Sequence, residues 1–160
     1  MSQISETLYR LRGIANYQFR ALIGHLLFPD DCEVEVSQRS GRIRRVSLNS
    51  KILATIRAHD GMIVLTIEGA QRLHQLTTYP KLRVVAEQGV TQFIAEGRSV
   101  FAKHVKFVDS QLRAGDELLV VDEQDRLLAV GKATLSPQEM LELTRGVAVK
   151  TRHSIENRKT

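Results

Sequence analysis

Beyond Leu82 the sequence never stays apolar for long before a turn signal interrupts it: Gly97, Gly115-Asp116, Asp122 with Asp125, and Arg145-Gly146 punctuate the whole second half. The valine- and leucine-rich pieces left between these signals are too short for long helices and have the composition of strands. Many short strands with two short helices bury their apolar side chains by curling into a compact β-barrel-like domain. That constraint fixes the architecture of half the chain before any motif is considered.

Within this half, residues 82–85 read as an opening strand. Val90, Phe93 and Ile94 then share one side of a short helix, ended by Gly97, which can take the left-handed conformation a helix stop needs. Residues 100–108 form the next strand, Gly115-Asp116 turns into residues 118–121, and residues 127–133 continue the sheet. Ser136-Pro137-Gln138-Glu139 combines a capping hydroxyl, a proline at the first helical position and a carboxylate three residues on, and predicts a short helix. It should end near Arg145-Gly146. Val147, Val149 and Thr151 then alternate with Ala148, Lys150 and Arg152 in a closing strand. The remaining residues, 153–160, are polar and expected to fray.

The first half follows different periods. Ile4, Leu8 and Leu11 have helical spacing, with a stop expected at Gly13. Asn16 can cap a second helix carrying Ala15, Phe19, Leu22, Ile23 and Leu26 as its buried stripe, stopped by Pro29. From Glu33 the period becomes two: Val34 and Val36, the Ser40-Gly41 turn, residues 43–48, residues 52–58, the Asp60-Gly61 turn and residues 62–67 make two hairpins. Ala70, Leu73 and Leu76 predict one more helix before Tyr79-Pro80. An α+β domain over 1–79 and a mostly-β domain over 80–160, with its core at 81–152, are therefore expected.

With 160 residues, 42% of them apolar and 26% charged, a folded protein is expected. A single cysteine excludes an internal disulfide, the five histidines show no metal-ligand spacing, and no apolar run approaches a membrane span. A cytoplasmic protein without membrane, metal or cofactor follows. The net charge of +5 points to an anionic partner. No nucleophile motif or phosphate loop is present, and Asp116-Glu117 and Asp122-Glu123 sit where turns commonly place acids. Catalysis is not expected.

The ordered set Gly97-Arg98-Ser99-Val100-Phe101-Ala102-Lys103-His104-Val105, Asp109, Leu112-Arg113-Ala114-Gly115-Asp116-Glu117, Ser136, Glu139-Met140 and Arg145-Gly146-Val147-Ala148-Val149-Lys150 resembles a PUA domain, an RNA-binding module of pseudouridine synthases and archaeosine transglycosylases. The resemblance implies a PUA pseudo-barrel with two short helices that holds a structured RNA such as a tRNA. It marks Gly97, Arg98, Ser99, Phe101, Lys103, Lys150 and Arg152 as RNA-binding. Arg98, Lys103, Lys150 and Arg152 would neutralise phosphates, and Ser99 would donate to a phosphate or a 2′-hydroxyl. The bland readings stand beside these: Gly97 as a helix stop, Phe101 as core, and the cations as a solvated face. Residues 11–19 and 63–70 resemble the small domain that precedes the PUA module in archaeosine tRNA-guanine transglycosylases. By this resemblance the chain is the non-catalytic tail of such an enzyme, either binding RNA by itself or serving as an interaction subunit that delivers RNA to a separately encoded RNA-modification enzyme. A second cationic cluster, Arg39, Arg42, Arg44 and Arg45, surrounds the first hairpin. Strand alternation sends Arg42 and Arg44 to one face and Arg45 to the other, which favours a solvated hairpin tip.

Overall fold

The computed structural model describes residues 3–157 and divides into two compact units, Met1–Leu76 and Thr77–Thr160. Ile4's expected place on the helix stripe and the last three residues of the tail lie outside what is described.

In the first unit, helix α1 (Gln3–Phe19) runs straight through Gly13. The two short helices expected there are one, because burying Leu8, Leu11, Ala15 and Phe19 outweighs the ~1 kcal/mol that an interior glycine costs. The break comes later, at Arg20, whose φ is 53°. It is followed by α2 (Gly24–Leu27), and Asn16 Oδ1 accepts from Gly24 N at 2.7 Å. Asn16 therefore caps the second helix from inside the first. The break resets the stripe, leaving Leu22 and Leu26 exposed while Ile23 is buried. A Cβ at Gly24 would collide with the Arg12 carbonyl, so the corner needs glycine.

Strands β1 (Glu33–Val36), β2 (Ile43–Leu48), β3 (Lys51–Ile56) and β4 (Ile63–Leu65) form an antiparallel sheet in sequence order. Helix α3 (Ile67–Leu76) follows and packs on β3, with Ile67 starting the helix rather than ending the strand. The β4 edge is not left open. Gln18 donates from Nε2 to Ile63 O and accepts from Ile63 N through Oε1, both at 2.8 Å, so a helix side chain stands in for a strand neighbour.

The second unit contains β5 (Arg83–Ala86), α4 (Thr91–Ala95), β6 (Val100–Phe101), β7 (Val105–Val108), β8 (Glu117–Val121), β9 (Leu127–Ala133), α5 (Pro137–Glu142) and β10 (Val147–Ser154). The strand expected over 100–108 is interrupted by a 3₁₀ turn, Ala102–His104. This interruption is what closes the barrel. The sheet order is β6-β10-β9-β8-β5-β7, so β6 and β7 form its two edges. Only the short turn joins them, and four Cα steps reach about 15 Å at most. A flat six-stranded sheet would hold its edges about 24 Å apart, so this one must curl until they meet. The result is an almost closed mixed β-barrel, with β5 and β8 parallel and its other pairs antiparallel.

Ser136 Oγ accepts from Glu139 N, and the Glu139 carboxylate accepts from Ser136 N, so the capping box forms at α5. That helix stops at Glu142, short of the expected Arg145-Gly146. The supposedly frayed tail joins the sheet instead: Ser154 pairs with Ala129 and is buried, Ile155 N donates to Leu128 O, and Glu156 N donates to Ala95 O. The β9 ladder extends further than alternation alone could indicate. Arg83, on the opening strand, is buried; it bonds Thr77 through Oγ1 and O, the Lys81 carbonyl, and Asp125, the last with its Nε 3.1 Å from Oδ1.

Candidate nucleic-acid interface

The end of α4 sets the geometry. Gly97 has φ 113°; its N–H donates to Ile94 O at 2.9 Å and the next N–H, from Arg98, donates to Phe93 O at 3.0 Å. This pair of bonds is a Schellman stop, which only a residue tolerant of positive φ can make without strain. A Cβ at Gly97 would also come within 2.8 Å of Asn157 Nδ2. The chain then turns onto β10. Thr151 Oγ1 donates to Arg98 O at 2.9 Å, and Thr151 N donates to Ser99 Oγ at 3.3 Å. The glycine bend and the closing strand thus lie side by side. Ser99 spends its oxygen as an acceptor in this clasp.

The predicted cations divide. Arg98, Lys103 and Lys150 are exposed. Lys103 stands on the 3₁₀ turn, where Ala102 N bonds Gly146 O at the opposite end of β10 from Arg98. Arg152 does not point freely to solvent: its Nε lies 2.8 Å from Oε1 of Glu117, whose side chain is 2% exposed. The two are in ion-pair contact without hydrogen-bond alignment. Glu117 opens β8 inside the barrel wall rather than decorating a turn, and Arg152 is its counter-charge. Arg152, expected at the phosphates, is thus tied to Glu117 while its side chain stays 27% exposed.

Register supplies a cation that periodicity could not. Lys150 pairs with Lys132, which in turn pairs with Glu117, so side chains directly opposite one another stand on one face. No described carboxylate lies within ion-pairing distance of Lys132 or Lys150. In the sequence, Lys132 is one lysine in an apolar strand, and only the ladder shows it beside Lys150.

Between α4 and the loop strand lies a cavity of about 260 Å³ lined by Val90, Phe93, Ile94, Arg98, Ser99, Val100, Phe101 and His104. Phe93 and Phe101 are 54% and 47% exposed, so neither belongs to the core. The helical stripe expected over Val90, Phe93 and Ile94 is broken because α4 is one turn long and Val90 lies in the 3₁₀ turn before it, leaving Ile94 as the buried member. His104 Nδ1 is 2.7 Å from Glu87 Oε1, which makes Nδ1 the proton-bearing nitrogen and leaves Nε2 as an acceptor in the neutral ring. Glu96 and Glu156 both accept from Gln92 Nε2, and neither lines the cavity. Two exposed rings, a guanidinium at the rim and a volume below the ~300–1,000 Å³ of drug-sized pockets suit one heteroaromatic ring with an attached anion.

Elsewhere the chemistry is quiet. Cys32 is buried, and burial, opposed by Arg72 and Arg12, pushes its thiol up to about 11. It is a protonated core residue rather than a nucleophile. Among the described residues no group of three His, Cys, Asp or Glu could hold a metal ion, and no helix is long and apolar enough to cross a membrane.

The fold is that of a PUA-domain protein: residues 82–155 match the PUA domain, a known RNA-binding domain. Residues 9–80 match the patch-forming domain C2 of tRNA-guanine transglycosylase, so the chain pairs the two domains that form the C-terminal region of the archaeal tRNA-guanine(15) transglycosylases. It is 46% identical to the enzyme of Methanothermobacter thermautotrophicus over 92% of this chain and 22% of that one, and 46% identical to that of Pyrococcus furiosus over 93% and 25%. The chain thus spans about a quarter or less of these relatives. A solved protein of Pyrococcus horikoshii shares the fold with a TM-score of 0.73 and 25% identity, over 96% of this chain and 92% of that one. A PUA-domain protein of Thermoplasma acidophilum shares it at 0.63 and 18%, over 96% and 91%.

Proposed function

We propose that the chain binds a structured RNA, a tRNA foremost, through its PUA domain and performs no chemistry of its own. The observation that carries this reading is the Thr151 clasp, which holds Arg98 and Ser99 against β10 next to Lys150 and Lys132, beside a cavity walled by two exposed phenylalanines. Cations that carry no sequence information would fix the RNA by its phosphates, while the cavity would take one unstacked base on an aromatic face. The relatives' name supplies the tRNA. Lys103, Arg152 and the Gly97 backbone belong to the same surface in this reading.

A second reading is favoured by coverage: about three quarters of each relative's length lies outside the part matched here. In it, the domain pair delivers RNA to a modification enzyme's catalytic body in the cytoplasm. One experiment addresses both. The tagged protein is cross-linked to RNA in cells, the RNA is sequenced, the attached peptides are mapped, and co-purifying proteins are identified. Cross-links on tRNA at peptides containing Phe93, Phe101 or Lys150 support the first reading, and a stoichiometric enzyme partner supports the second. Cross-links confined to other peptides defeat the proposed site.

A further inference from the structure

Helix α1 turns toward solvent a face that the fold does not use. Tyr9 and Tyr17 are 73% and 80% exposed, and with Leu22 and Leu26 they are the large apolar side chains left in water among the described residues of the first unit. Gly13 lies between the two tyrosines, four residues from each, so all three stand on one helical face. Its backbone is ordinary helix, and a Cβ built on it would meet nothing within 4 Å. An interior glycine weakens a helix, and here, unlike Gly24, no neighbour within the fold calls for one. Seven residues before Gly13 and seven after it, along the same line, stand Glu6 and Arg20, both exposed.

We infer that this face joins two copies of the chain, their α1 helices antiparallel about a two-fold axis at Gly13; the inference is independent of the RNA-binding reading above. The pattern is its own complement. A second helix reversed against the first brings Gly13 to Gly13, sets Tyr9 beside the second copy's Tyr17 on both flanks, and places Glu6 opposite the second copy's Arg20 at both ends. A closed two-fold interface makes every contact twice from one patch, which is what a face repeated in kind about its own middle provides. The bare backbone at Gly13 lets the two helices approach closely, since interaxial distance is set by the side chains at the crossing. The tyrosines then cover apolar area on either side while their hydroxyls stay at the wet rim. Charge fixes the direction: a parallel pair would set Glu6 on Glu6 and Arg20 on Arg20, and like charges across an interface are unfavourable. A polynucleotide on the same face would meet the Glu6 carboxylate at one end of it.

The test is sedimentation equilibrium of the full chain over a wide concentration range, with a thermal melt of each variant. The parent is expected to pass from monomer to dimer as concentration rises. Gly13→Leu puts a branched side chain on the axis and should weaken association by about tenfold or more through the clash. Its melting temperature at low concentration should hold or rise, because leucine is the better helix former and has open space there. Glu6→Arg should weaken association by about tenfold through like charges at both ends. Direction is read by mixing the single variants Tyr9→Cys and Tyr17→Cys with a short thiol cross-linker, the parent with its buried Cys32 serving as background. Tyr9→Cys should join to Tyr17→Cys in preference to either joining to itself. A parent that stays monomeric at every concentration overturns the proposal, and so does a dimer that Gly13→Leu and Glu6→Arg leave intact. Preferential joining of Tyr9→Cys to itself overturns it too, since that marks a parallel pair. A monomeric parent that loses tRNA binding on Tyr9→Ala or Tyr17→Ala would make RNA the occupant in place of a second copy.

Discussion

Arg152 Nε lies 2.8 Å from Oε1 of Glu117, a carboxylate otherwise closed inside the barrel wall. Removing one member of a buried pair weakens the compensation of the other charge, at a cost of up to about 3 kcal/mol for a pair whose arginine keeps some exposure. Arg152→Ala should therefore lower stability by roughly that amount in urea unfolding. Lys150→Ala, two residues away and exposed, should leave the midpoint unchanged. Similar midpoints for the two variants would show that the ion pair does not hold the barrel.

Lys132 and Lys150 face each other across β9 and β10, and like charges directly opposite are unfavourable until an anion sits between them. Replacing Lys150 by alanine should leave the fold as stable as before, or more stable by about 0.2–1 kcal/mol, whereas Lys132 also stands opposite the buried Glu117, so its loss should be the more costly of the two. RNA affinity should fall, with a log–log salt slope shallower by about 1 for each lysine removed. The loss should be alike for unrelated RNA sequences of one shape, since phosphates are common to all. Filter binding across a salt series measures both effects.

Phe93 and Phe101 expose about half their surface at the cavity, where little packing depends on them. Phe93→Ala and Phe101→Ala should each weaken RNA binding by about 1–3 kcal/mol, as loss of a base-stacking ring does. Thermal melts should barely move. A large drop in melting temperature with unchanged affinity would return both rings to the core.

Asp122 is nearly buried, and burial by itself raises its pKa, but hydrogen bonds from Arg126 N, Gln124 N and the Arg126 side chain outweigh it and hold the carboxyl below its ordinary 3.8. A folded-state value below the unfolded one means stability that is fully present above the unfolded value and lost as pH falls through the folded one. Unfolding free energy should decline below about pH 4, and Asp122→Asn should remove part of that decline while lowering stability at neutral pH. A parallel pH profile in the variant would exclude this turn as a source of acid lability.

Much of the fold is written in short-range pattern. The capping box at Ser136 and Glu139, the stop at Gly97 and the hairpins of the first unit each depend on residues within a few positions of one another, and each forms. The errors have a common origin. Gly13 read as a stop because its local cost is visible, whereas the burial of Leu8, Leu11, Ala15 and Phe19 that overrides it is not. The 100–108 segment read as one strand because nothing local shows that its two halves must reach opposite sheet edges. The neighbourhood of Gly97 and Lys150 was legible through the family resemblance. Lys132 and the exposed cavity wall at Phe93 were not, because neither alternation nor helical spacing says which strand lies alongside or how far a one-turn helix is covered.

By itself, then, the order of residues determined where the chain turns, which stretches extend and which charges are available, since these follow from propensities acting over a few bonds. Tertiary structure alone decided how the charges are used. Pairing β10 with β9 puts Lys132 beside Lys150, closing the barrel turns Arg152 onto Glu117, and the bulge at Arg44 gathers arginines that strict alternation would separate. Ladder register is a long-range property, fixed by the burial of whole faces at once, and a shift of one residue would give every side chain on the strand a different neighbour.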